Sequence, residues 1–255
     1  MIRIAHKSLG ILCCLFLLSH MLHEKRKITV YLIGDSTMSV KETKYYPETG
    51  WGMPFIYFFD STVIVDNRAK NGRSTKTFIE ENLWQPVVDK LSEGDYVFIQ
   101  FGHNDEVKEK VGRYTTVDEF KTNLLRYVNE SKNKKAIPVL LTPVTRRKFD
   151  ANGKAAETHL LYSDAVRQIA KQNNILLIDL DKKSQQLLQQ FGPEFSKYLF
   201  LQLQPGEHPN YPDGRDDNTH FSEWGARKIA QLVLAEMKAL KLELADRIVK
   251  PGTKT

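Results

Sequence analysis

The chain has 255 residues, 41% of them apolar, and 37 Lys and Arg stand against 31 Asp and Glu for a formal net charge of +6. That length supports one substantial domain with a full core. The basic residues are spread along the chain with no block of five or six, which argues against a nucleic-acid stripe; solvated helix faces explain most of the lysines.

Residues 1–23 carry Arg3 and Lys7 ahead of an apolar run over 9–18. The run is short for a bilayer span and long enough for the core of a signal peptide. The expectation is a secretory signal and a secreted or periplasmic protein, with a retained short anchor as the alternative. Ser19-His20-Met21 is a poor cleavage site, and Leu12 before Cys13 argues against lipidation. Both cysteines, Cys13 and Cys14, lie in this segment, so the remainder has no disulfide and no thiol nucleophile. Its removal takes Arg3 and Lys7 with it and lowers the net charge from +6 to +4. From about 27 to 250 there is no linker, internal repeat or low-complexity stretch, so one domain is expected, followed by a frayed tail over 250–255.

Five short apolar runs follow, at 28–33, 62–66, 96–100, 138–142 and 175–179. Their length and bounding turn residues read as buried strands. Helical patterns separate them, at 54–59, 75–81, 117–131, 160–172 and 183–190, with a last helix over 223–241 capped by Ser222. This alternation implies an α/β fold with a parallel sheet covered on both faces.

The segments after the strands hold the residues of interest. Strand one leads into Gly34-Asp35-Ser36, strand two into Asn71-Gly72-Arg73-Ser74 and strand three into Gly102-His103-Asn104-Asp105. Strand four leads into Thr142 and then Arg146-Arg147, and Asp217-Asn218-Thr219-His220 precedes the last helix. In a parallel sheet these strand ends share one edge, where α/β sheets place their ligands.

A serine hydroxyl is a weak nucleophile and needs a base, which a histidine supplies at neutral pH. The histidine needs a partner that fixes its tautomer and stabilises its charged form. Asp217 and His220, three apart in a loop or first helical turn, can supply both; Asp216 lacks that spacing. The tetrahedral intermediate needs preorganised donors. The backbone of Gly72, the side chain of Asn104 and the Ser36 N–H suit that role. This is not a G-x-S-x-G elbow, because Met38 stands where that motif has glycine. Metal-ligand spacings such as H-E-x-x-H and C-x-x-C are absent.

Gly34-Asp35-Ser36, Gly72, Gly102-His103-Asn104-Asp105 and Asp217-x-x-His220 resemble, in order, the four blocks of the SGNH (GDSL-type) hydrolases. The resemblance implies a flavodoxin-like three-layer α/β/α sandwich with no metal or other cofactor. It implies Ser36 as nucleophile, His220 as base, Asp217 as its orienting acid, and Ser36 N–H, Gly72 N–H and Asn104 as oxyanion hole. Within that family the chain is similar to the rhamnogalacturonan acetylesterases, through Gly34-Asp35-Ser36-Thr37-Met38, Gly50-Trp51-Gly52, Asn67 to Ser74, Phe101 to Asp105 and Asp217-Asn218-Thr219-His220-Phe221. The implied function is removal of acetyl groups from galacturonate residues of pectin. The implied partner is an acetylated pectic polysaccharide or oligosaccharide, with no nucleic acid and no membrane unless the N-terminal segment is retained.

Other residues are weighed on their own chemistry. Trp51, between two glycines, reads either as core or as a platform for a sugar ring. Arg73, Arg146 and Arg147 follow strand ends, so one of them could pair bidentately with a galacturonate carboxylate. His103 reads as structural or as a substrate edge, and Asp105 as a turn-satisfying group. The proline-rich stretch 205–212 reads as a loop forming one wall of the cleft. Alternatives are an esterase for acetylated xylan, a lipolytic or thioester hydrolase, which should show an apolar acyl channel, and a non-catalytic carbohydrate-binding protein, which should have lost Ser36, Asp217 or His220.

Overall fold

The computed structural model describes residues 26–250; the expected signal segment and the end of the expected tail lie outside that range. Five parallel strands form the central sheet: β1 (Ile28–Gly34), β2 (Val63–Asn67), β3 (Tyr96–Gln100), β4 (Ile137–Leu141) and β5 (Leu176–Ile178). Their order is β2-β1-β3-β4-β5, the flavodoxin-like arrangement. Each expected apolar run is one of these strands, to within two residues at either end.

Every β3 residue and every β1 residue except Thr29 is buried, and the side chains alternate between two cores with the period of two that a pleated strand imposes. Val30, Leu32, Phe98 and Leu141 face the core that is shared with α1 (Gly52–Phe55), α6 (Leu180–Phe195) and α7 (Glu223–Ala239). Tyr31, Ile33, Val97, Ile99 and Leu140 face the opposite core, with α2 (Thr75–Glu80), α3 (Gln85–Val88), α4 (Val117–Asn133) and α5 (Leu160–Gln172). Three layers result. Capping fixes where the helices near the site begin. Ser74 and Thr77 close a capping box on α2, Thr116 and Glu119 another on α4, and the Ser222 hydroxyl accepts from Gly225 N at the start of α7.

Besides α3, which the sequence reading lacks, three elements depart from it. The helix expected over 54–59 is α1 followed by a 3₁₀ turn, Ile56–Phe58. The helix expected over 183–190 runs from Leu180 to Phe195, with a break at Gly192, whose φ is 66°. The third is a two-stranded antiparallel hairpin, β6 (Phe200–Leu203) with β7 (Arg215–Phe221), which contains Asp217 and His220. Those two residues therefore lie on a strand, not in a loop or first helical turn. Among the described residues no helix is long and apolar enough to cross a membrane.

Candidate active site

β1 ends at Gly34, a position where a Cβ would lie 2.5 Å from the Gln100 carbonyl oxygen. The chain then turns around Asp35, whose Oδ1 accepts from Thr37 N at 2.9 Å and Thr37 Oγ1 at 2.8 Å. Burial pushes the Asp35 carboxyl up, but neighbouring His103 and the Thr37 bonds outweigh it and bring its pKa down to about 2. This buried anchor places Ser36 at the apex of the turn.

Ser36 Oγ lies 2.9 Å from His220 Nε2, and His220 Nδ1 lies 2.9 Å from Asp217 Oδ2. The hairpin explains how residues three apart on a strand meet. Between the Phe200–Phe221 and Gln202–Asp216 pairs, β6 supplies only Leu201 while β7 supplies all of 217–220. The surplus forms a bulge, a device that re-aims side chains beside functional sites. Inside it Asp217 Oδ1 accepts from the backbone N–H groups of Thr219 at 2.8 Å and His220 at 2.9 Å. Burial raises the Asp217 pKa, but the His220 ring and these N–H groups outweigh it and hold the carboxyl well below the usual range. The aspartate is thus an anion with both oxygens engaged, and it presents His220 to Ser36.

Gly72 has φ +76°, a left-handed conformation that glycine adopts without strain. Among the described residues, the N–H groups of Gly72 and Ser36 have no hydrogen-bond acceptor. Asn104 Nδ2 donates to the Arg73 carbonyl at 2.9 Å, which fixes the amide and leaves it a second hydrogen. An activated serine together with spare donors from the ends of β1, β2 and β3 can perform acyl transfer.

Beside Gly72 opens a cleft of about 450 Å³, lined by Arg73, Thr77, Glu81, Lys110, Val111, Gly112 and Arg113. Arg73 is bound to Glu81 through Nε at 2.9 Å and Nη2 at 2.8 Å. Arg113 donates to the Gly72 carbonyl at 3.3 Å, and neither it nor Lys110 faces a carboxylate among the described residues. A larger cleft of about 700 Å³, lined by Val40, Tyr46, Met53, Tyr57, His208 and Arg227 among others, includes none of Ser36, Asp217 and His220. It takes in one residue of the proline-rich stretch, His208. That stretch forms the β6–β7 turn and is tied down by Asn210, which donates to the Thr43 and Tyr46 carbonyls.

Several expected contacts fall elsewhere. Trp51 is fully buried; its Nε1 donates to Gln100 Oε1 at 2.8 Å and its ring packs edge-on against Phe55, so it is core and not a sugar platform. Arg147 is committed to Ser196, Asn218 and Pro193, and Arg146 to Thr219 and Glu106, so neither is a free carboxylate clamp. His103 is buried between Asp35 Oδ2, at 3.3 Å from its Nδ1, and the ring of His159; burial and the His159 ring push its pKa down to about 4. Asp105 accepts from Thr75 N, Thr75 Oγ1 and Thr115 Oγ1, as a turn-satisfying group should.

Sequence reasoning missed Lys110 and Arg113. Both lie between β3 and α4, at the strand-end edge of the sheet, and that placement is the signal that could have found them. It also missed Lys41 and Glu48, a buried ion pair beside Ser36 that no motif spacing marks.

The model of the GDSL-like Lipase/Acylhydrolase family matches residues 32–228. The chain is 44% identical over 225 residues to the rhamnogalacturonan acetylesterase RhgT of Bacillus subtilis (strain 168), covering 88% of this chain and 96% of that one. It is 36% identical to the probable rhamnogalacturonan acetylesterase YesY of the same organism, over 87% of this chain and 97% of the other. Among solved structures, the Bacillus subtilis protein YXIM superposes with a TM-score of 0.73 at 25% identity, over 86% of this chain and 58% of that one. The acetylxylan esterase Axe2 of Geobacillus stearothermophilus superposes with a TM-score of 0.61 at 19% identity, over 83% and 94% of the two chains, a likeness of fold.

Proposed function

This chain belongs to the GDSL-like lipase/acylhydrolase family, and on that premise we propose that it removes acetyl groups from galacturonate residues of rhamnogalacturonan through a Ser36–His220–Asp217 acyl-enzyme mechanism. It is a serine esterase, similar to the rhamnogalacturonan acetylesterases. The observation that carries the mechanism is the continuous path from Ser36 Oγ through His220 to Asp217, with 2.9 Å at each step.

In this reading His220 Nε2 takes the Ser36 proton as Oγ attacks the acetyl carbonyl. Asp217, already anionic, stabilises the imidazolium and sets the tautomer that leaves Nε2 free to accept. The carbonyl oxygen becomes an oxyanion facing the N–H groups of Ser36 and Gly72 and the spare Asn104 hydrogen. Collapse breaks the ester C–O bond, and the proton on Nε2 passes to the departing sugar hydroxyl. A water molecule then repeats the sequence on the acetyl-serine and releases acetate.

Two features support a pectic substrate. The relatives bear that activity in their names. The cleft beside Gly72 also carries Lys110 and Arg113 without carboxylate partners, which suits an acidic sugar. The N-terminal run over 9–18 supports export, which a polysaccharide substrate outside the cell requires. Acetate release from acetylated rhamnogalacturonan, acetylated xylan and a long-chain aryl ester tests the reading. Rhamnogalacturonan should be the preferred substrate, and preference for either of the other two would overturn the assignment.

A further inference from the structure

The Lys41 ammonium is wholly buried behind the nucleophile turn. It donates to the Ser36 carbonyl, to Asn71 Oδ1 at 2.8 Å and to Ser39 Oγ at 3.1 Å, and it lies 2.7 Å from Glu48 Oε1. Ser39 Oγ also donates to Asn71 Oδ1 at 2.6 Å. One cation therefore joins the backbone of the nucleophile to the residue immediately before Gly72, the two segments whose N–H groups lack acceptors. Burial pushes the Lys41 pKa down, and Glu48 opposes that push. The other end of the pair faces the base: Glu48 Oε1 lies 4.0 Å from His220 Nε2. Glu48 is held there by its neighbour, since Thr49 N donates to the Phe221 carbonyl at 3.0 Å, one residue beyond His220.

We propose that Lys41 and Glu48 are positioning residues of the hydrolytic site, the ammonium fixing the Ser36 and Gly72 segments against each other and the carboxylate supplying negative charge on the Nε2 side of the His220 ring. The proposal rests on the acyl-enzyme reading. In that mechanism His220 is cationic only while the oxyanion exists. The imidazolium then has Asp217 on Nδ1 and the Glu48 carboxylate near Nε2. The other ionisable groups around this corner include Asp35 in the nucleophile turn, Asp217 with Arg215 on β7, Arg146 bound to the Thr219 hydroxyl, and the phenols of Tyr211 and Tyr45.

The sign follows from charge alone. Glu48→Gln removes an anion near Nε2 and leaves the Lys41 cation, so proton uptake by His220 becomes harder. A unit charge at this range moves a titration by about one pH unit or more. Ring-carbon NMR of labelled histidine should show the His220 midpoint falling by about one unit in Glu48→Gln, with the acid limb of kcat/KM moving down alongside it. A purely structural role would lower thermal stability and leave both in place, and an unmoved midpoint overturns the proposal. A second variant guards against failure to fold. Lys41→Met/Glu48→Leu exchanges the pair for apolar groups of similar volume, which is often neutral for stability. It should fold and lose at least about ten-fold in kcat on an aryl acetate with KM within about two-fold; wild-type kcat in that variant overturns the proposal. Loss of the acyl-enzyme reading would show separately, as turnover surviving Ser36→Ala, whereas the NMR midpoint does not depend on turnover.

Discussion

Arg147 and Asn218 are joined twice: Arg147 N donates to the Asn218 carbonyl at 2.8 Å, and Arg147 Nη1 donates to Asn218 Oδ1 at 2.8 Å. The first residue past the Asp217 carboxylate is thereby bound to the segment after β4, so the hairpin bulge is braced against the sheet edge. Arg147→Ala should remove the donor shared by the Ser196 hydroxyl and the part-buried Asn218 side chain, at a cost of about 1 kcal/mol. A lower Tm and a lower kcat are expected, with the preference for charged over neutral substrates unchanged. A selective rise in KM on acidic oligosaccharides, at wild-type Tm, would show that Arg147 binds substrate after all.

Ser36→Ala should cut kcat by roughly 10³-fold or more with the fold intact, because the methyl group occupies the same place at the end of β1. Acetate release by the purified variant, with circular dichroism to verify folding, measures this; near wild-type turnover would contradict the nucleophile assignment.

Asn104→Ala removes a donor whose orientation is fixed by the Arg73 carbonyl. The expected loss is on the order of 10²–10³ in kcat with little change in KM. Steady-state kinetics on an aryl acetate separate the two parameters, and an effect confined to KM would place Asn104 in ground-state binding.

Lys110→Ala should lower kcat/KM on acetylated rhamnogalacturonan oligosaccharides by roughly ten-fold or more, the worth of one charge-assisted contact. Acetylated xylan should be affected less than about two-fold. Arg113→Ala should show the same selectivity plus a general loss, because Arg113 also holds the Gly72 carbonyl. Equal losses on both polymers in Lys110→Ala would remove the cationic cleft from the account of specificity.

Two buried groups, His103 and Asp105, should shape stability in acid. His103 has a folded pKa of about 4 against a usual 6.5, so the unfolded chain binds more protons between those values and stability is lost as pH falls from 6.5 to 4. Asp105 is raised from 3.8 to about 7 by burial, so the folded chain binds more protons there and stability is lost as pH rises through that window. The two slopes oppose each other. Asp105→Asn deletes one of them and keeps the acceptor oxygen for Thr75. Urea unfolding of this variant should show stability climbing between pH 4 and 6.5 by up to about 3 kcal/mol relative to wild type. Parallel curves for variant and wild type would contradict these protonation states.

The sheet and its functional edge were legible because apolar runs bounded by turns leave few alternatives. Val30, Leu32 and Ile33 have no other way to be buried together, and the serine, glycine and asparagine that follow three of the strands inherit their places from that sheet. β7 was not legible, since Arg-Asp-Asp-Asn-Thr-His carries no apolar alternation, and its strand character comes from pairing with β6. Trp51 was misleading for a related reason. Its flanking glycines suggested an open loop, yet a Cβ on Gly50 would lie 2.1 Å from the Ser39 carbonyl oxygen and one on Gly52 2.4 Å from Asn67 Nδ2. Those glycines record crowding. Arg146 and Arg147 were misread because sequence shows charge and hides the acceptor that has already claimed it.

The bulge in β7 has a consequence for the turn before it. Asp217 takes its restraints from Thr219 and His220, so the geometry of the Asp217–His220 pair is settled within four consecutive residues. The turn that precedes them, from Gln204 to Gly214, lies beyond the last ladder pair at Leu203 and Arg215 and is fastened separately to the carbonyls of 43–46. Lengthening such a turn costs only slowly growing closure entropy. The turn can therefore change length without disturbing the Asp217–His220 geometry beneath it.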